Sequence, residues 1–137
     1  MRSFLLALLA LVACGDWATG PGRPPDQFRF SVAPANGPAP APVVTPIPGA
    51  LAVDGTLLTP VPCYEAAARV ERNGSAITIT VTAHPNAEAA CISVLGALTY
   101  HVEAAQLAAG PHALVVRHTF AGATTMDTVV QQAVTIR

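Results

Sequence analysis

Tyr64-Glu65-Ala66-Ala67-Ala68-Arg69-Val70-Glu71-Arg72 leads into Asn73-Gly74, and Ser75-Ala76-Ile77-Thr78-Ile79-Thr80-Val81-Thr82-Ala83 follows. In the second run the aliphatic residues Ile77, Ile79 and Val81 alternate with Thr78, Thr80 and Thr82. That period of two places one face of a strand in a core and the other in water. The first run alternates likewise, with Ala66, Ala68 and Val70 on one face and Glu65, Arg69 and Arg72 mostly off it. Asn-Gly between two such runs predicts a tight hairpin, because both central residues of a type I′ turn need positive φ. A turn on Asn73 and Gly74 sets Cys63 opposite His84. Everything else is read outward from this hairpin.

Downstream, a strand is expected near Leu98–Ala104, and Leu107-Ala108-Ala109-Gly110-Pro111 breaks it. Ala104–Ala109 is also open to a helical turn, since alanine favours helix. A second hairpin is expected from His112–Phe120 and Thr124–Ile136 about Ala121-Gly122-Ala123. Upstream, Ala50–Val53 and Thr56–Leu58 flank Asp54-Gly55, which reads as another turn. About seven short strands with turn signals at roughly ten-residue spacing predict an all-β antiparallel sandwich over residues 49–137. Leu107–Val116, with its Gly110-Pro111 break before Leu114 and Val116, resembles the strand entry of immunoglobulin-like bacterial surface modules. The resemblance implies a small immunoglobulin-like β-sandwich.

Residues 14–48 read as a tether. Gly20-Pro21-Gly22-Arg23-Pro24-Pro25 and Pro38-Ala39-Pro40-Ala41-Pro42 cannot sustain a helix or a central strand, because proline lacks the donor. Such segments favour polyproline II and act as stiff spacers. Gln27-Phe28-Arg29-Phe30-Ser31-Val32 interrupts them with alternation, and reads either as an edge strand of the domain or as an adhesive spot in a disordered tether.

At the front, Met1-Arg2 is a positive n-region, Phe4–Val12 an uncharged apolar run, and Leu11-Val12-Ala13-Cys14 closes it. The run is too short to span a bilayer and reads as a cleavable signal, residues 1–13. These four residues resemble the lipobox of bacterial lipoproteins. The resemblance implies that Cys14 is lipidated and becomes the first mature residue, anchoring the protein in a bacterial cell envelope. Gly15 rather than Asp after the cysteine favours the outer membrane in a cell with two membranes. Two or three acyl chains anchor durably where one does not. Thr59-Pro60-Val61-Pro62-Cys63-Tyr64 resembles the openings of bacterial lipoprotein domains.

With Cys14 assigned to lipid, Cys63 and Cys91 remain as an even pair in an oxidising compartment and are expected to form a disulfide. From the base of the first hairpin, the Pro85–Ala90 loop needs only to fold back about one strand width to join them.

Charge and motifs exclude more than they assign. The chain has formal net charge −1 and no lysine, so it lacks the clustered basic footprint that nucleic acid demands. No phosphate-binding glycine loop is present, Ser93 sits in no nucleophile elbow, and Glu65, Glu71, Glu88 and Glu103 form no patterned pair. No cofactor is implied. The histidines are the candidates for chemistry. His112 and His118 share a face with Leu114, Val116 and Phe120, and a turn on Gly122 sets His118 opposite Met126, a pair suited to copper. His101 follows Tyr100 and precedes Glu103.

The expectation is a non-enzymatic, membrane-anchored envelope lipoprotein whose sandwich serves as a structural module or binds another envelope protein. One alternative is a small inhibitor or chaperone-like binder acting through a loop such as Pro85–Ala90. The other is a metal-handling or hydrolytic protein built on His101, His112 or His118.

Overall fold

In the hairpin at the centre of the sequence, β4 (Tyr64–Asn73) and β5 (Ala76–Pro85) pair as expected, but one step further along the chain. Asn73 is the partner of Ala76 and Glu65 of His84, so Gly74-Ser75 form the turn. Gly74 has φ +58° and no other residue of the turn has positive φ, the pattern of a type II′ turn with glycine first. Partners move by two residues, so every side chain keeps its face: Ile77, Ile79, Val81 and Ala83 are buried, and Glu65, Arg69 and Glu71 stay outside.

The computed structural model describes residues 28–137. It is an all-β sandwich of two four-stranded sheets, and no helix occurs among those residues. The first sheet has the order β1 (Phe28–Ala35), β6 (Gly96–Ala105), β3 (Ala50–Thr59), β2 (Val43–Ile47). The second has β4, β5, β7 (Gly110–Phe120), β8 (Asp127–Ile136). All neighbours are antiparallel except β5 and β7, which run parallel. After β5 the chain crosses to the first sheet for β6 and returns beside the strand it left. Two reversals restore its direction.

Leu51, Val53, Leu57, Tyr100, Val102 and Ala104 of the first sheet meet Ile77, Ile79, Val81, Leu114, Val116 and Ile136 of the second. Burying an aliphatic side chain of this size contributes about 1.5–3 kcal/mol before chain entropy is set against it.

Three expectations need correction. Asp54-Gly55 is not a turn: β3 runs straight through it, and the reversal comes at Pro48-Gly49, where Gly49 has φ +67°. Gly55 is needed for a close approach, because a Cβ there would overlap the Tyr100 ring. Ala104–Ala109 forms no helical turn; β6 extends to Ala105, and Gln106 takes φ +58° in the loop. Residues 43–47, inside the stretch 14–48 expected to be tether, are a strand of the first sheet, whereas residues 28–35 form the edge strand that the alternation over 27–32 allowed. Both are edge strands, where Pro34 and Pro46 are tolerated because one side of the ladder is empty. β1 covers most of the alternating segment 27–32.

Candidate functional site

Strand directions sort the connections onto two ends of the sandwich. One end holds the two-residue turns 48–49 and 74–75, the loop 106–109 and Phe28, where the chain enters β1 opposite Ala104. The other holds the loops 36–42, 60–63, 86–95 and 121–126.

Cys63 and Cys91 are bonded, with Cα atoms 5.7 Å apart. The bridge ties loop 86–95 to the start of β4, where the Cys63 carbonyl accepts from the Asn86 N–H at 2.9 Å. Cys63 therefore stands beside Asn86 rather than opposite His84, which pairs with Glu65. Beyond the bridge Ile92, Val94 and Leu95 are 66%, 51% and 82% exposed. Leu58, also exposed, and Leu95 flank a hollow of about 260 Å³ beside Gly37 and Pro38.

The histidines are taken up separately. The Tyr100 hydroxyl lies 2.7 Å from His118 Nε2, with the rings edge to face. Burial, with the Asp54 charge adding to it, pushes the Tyr100 phenol up to about 12. Burial also pushes the His118 imidazole down, with Asp127 opposing. The phenol therefore keeps its proton and donates to a neutral imidazole. His112 Nε2 donates to the Ala108 carbonyl at 2.8 Å, and its Nδ1 is buried without a partner. His101 Nδ1 meets Asp54 Oδ1 at 2.7 Å on the outer face of the first sheet.

The expected His118–Met126 pair does not form. On the turn side of a bulge between Val116 and Arg117 the β7–β8 register makes Asp127 the partner of His118, and Met126 lies exposed in the preceding loop. His112 has already committed its Nε2. Among the described residues no group of three His, Cys, Asp or Glu side chains could hold a metal ion. Cys14 lies outside the described residues.

Next to His118 the sandwich is open at its side. β2 begins at Val43, opposite Asp54, so the upper half of β3 has no partner there. The segment 38–42 runs past it unpaired, since Pro38, Pro40 and Pro42 have no N–H to give. The resulting cleft of about 400 Å³ is lined by Pro40, Leu58, His118, Phe120, Asp127 and Val129, among others. Its histidine is already hydrogen-bonded to Tyr100, and most of the remaining lining is apolar, so the cleft suits an apolar group.

Asp54, Tyr100 and Asp127, the partners of the histidines, were not legible as such. The one available signal was adjacency: on a strand, Tyr100 and His101 face opposite ways and must serve different sites. No family model matches the chain, and no curated protein or solved structure matches it.

Proposed function

We propose that this protein is a lipid-anchored lipoprotein of the bacterial cell envelope whose sandwich binds another envelope protein through its loop-bearing end. The supporting observation is the separation of the ends. The chain enters at the tight-turn end, while the disulfide-tied loop holds Ile92, Val94 and Leu95 out at the other. Large aliphatic side chains exposed together on a stapled loop are costly in a monomer and useful in an interface. Because loops 36–42 and 60–63 come from other strands, the surface is composite and pre-organised, which lowers the entropy lost on binding.

Two experiments test this. Cys14→Ser should release the protein from membranes or leave it unprocessed, and fatty-acid labelling that persists in that variant refutes the anchor. A photo-crosslinking residue at Leu95 should give a discrete adduct in intact envelopes, while one at Ser75, at the tight-turn end, should not. Equal adducts from both positions, or none from Leu95 in folded protein, refute binding through the loop end.

A further inference from the structure

The outer face of the first sheet gathers three side chains that lie far apart in sequence. β6 runs between β1 and β3, and His101 is the partner of Ser31 on one side and of Asp54 on the other. Directly opposed residues in antiparallel pairs point to the same face, with Cβ atoms about 4.5–5.5 Å apart. The row therefore reads serine, histidine, aspartate across three strands. The three border one shallow cleft of about 250 Å³, together with Val32 and Thr99.

The carboxylate end is already set. With Asp54 Oδ1 at 2.7 Å, His101 Nδ1 carries the ring proton of the neutral imidazole, which leaves Nε2 as the free basic nitrogen. Ser31 and His101 are not joined by a hydrogen bond in the free protein. Catalytic bonds of this kind are often open before substrate binds, and rotation about one side-chain bond on an exposed edge strand moves the hydroxyl. Arg29 lies two residues before Ser31 on the same face of β1, opposite Glu103.

We propose that Ser31, His101 and Asp54 form an acyl-transfer site that hydrolyses small carboxylic esters. Ser31 Oγ attacks the ester carbonyl carbon while its proton passes to His101 Nε2, and Asp54 stabilises the imidazolium. The bond to the alcohol oxygen then breaks, and the alcohol leaves with the proton from His101. Water, giving its proton to His101 Nε2, attacks the acyl group on Ser31. The carboxylic acid departs, and Ser31 recovers its proton. Acid and alcohol are the only products, and no oxidant or cofactor is consumed. Among the described residues, Arg29 is the cation in register on this face, two positions from Ser31 and opposite Glu103. The site is open to water, so turnover is slow and covalent capture is the sensitive readout. This inference stands independently of the anchor and of the loop-end surface.

The test treats the purified full chain with a fluorophosphonate, which forms a bond from phosphorus to an activated serine oxygen and loses fluoride. Peptide mapping should place the label on Ser31. His101→Ala and Asp54→Asn should each slow labelling at least tenfold, with thermal unfolding unchanged because these side chains are exposed. Hydrolysis of p-nitrophenyl acetate should fall to background in Ser31→Ala. Labelling of Ser31 no faster than that of Ser75 or Ser93, or labelling indifferent to His101→Ala in the folded variant, overturns the proposal.

Discussion

Gly55→Ala should destabilise the sandwich although it adds only one methyl group in the middle of a strand. An added Cβ would overlap Oη and Cζ of Tyr100, whose ring lies across the glycine, is 3% exposed and is hydrogen-bonded to His118. The ring cannot yield without leaving the core or losing its partner. Overpacking of this kind costs about 1–3 kcal/mol. Loss of the Tyr100–His118 bond adds about 1 kcal/mol. Relief from glycine in a strand returns about 0.5–1 kcal/mol. The net expectation is a loss of about 2 kcal/mol. Equilibrium urea unfolding would show it as a lower midpoint with unchanged slope. Most of the penalty should vanish in a Tyr100→Ala background, because the obstacle is then absent. A neutral or stabilising Gly55→Ala in the otherwise native chain would falsify the close-approach reading, and a penalty of equal size in both backgrounds would move the cause elsewhere.

The Cys63–Cys91 bridge closes a separation of 28 residues, so reduction should lower the unfolding free energy by about 2–5 kcal/mol; free thiols that alkylate in the unreduced protein contradict the bond. His118 is pushed below its ordinary value in the fold, so the unfolded chain binds its proton more readily. Stability should be complete above about pH 6.5 and fall as pH drops from there toward the lower folded value, and His118→Phe should flatten that acid limb. Tyr100 behaves in the opposite sense: with its phenol raised to about 12, stability should hold below about pH 10 and decline as pH rises toward 12, a decline that Tyr100→Phe removes. Chemical unfolding at a series of pH values reads both limbs.

Much of the sandwich was legible in the chain because strand character is written locally. The alternation of Ile77, Ile79 and Val81 with threonines needs no knowledge of what covers it. Gly74 marks a turn whichever residues flank it, and with Cys14 set aside as the expected lipid site the remaining two cysteines have one way to pair. The candidate sites were hardly legible. His101 and Asp54 are separated by 47 residues and His118 and Tyr100 by 18, and neither contact follows from spacing.

The sequence by itself determined the all-β class, the faces of β4 and β5, and the partnership of Cys63 with Cys91. Each rests on the period of a side-chain pattern or on a count. Only the tertiary structure decided which strands lie side by side. The parallel β5–β7 pair arises because β6 belongs to the opposite sheet, a fact carried by no residue of β5 or β7. Asp54-Gly55 has the composition of a turn, yet it is held extended along β6, with β2 reaching Asp54 on the other side, and the Tyr100 ring needs a position without a side chain at Gly55. Turn chemistry is a local preference worth about 1 kcal/mol, and ten residues of paired backbone over a shared core outweigh it.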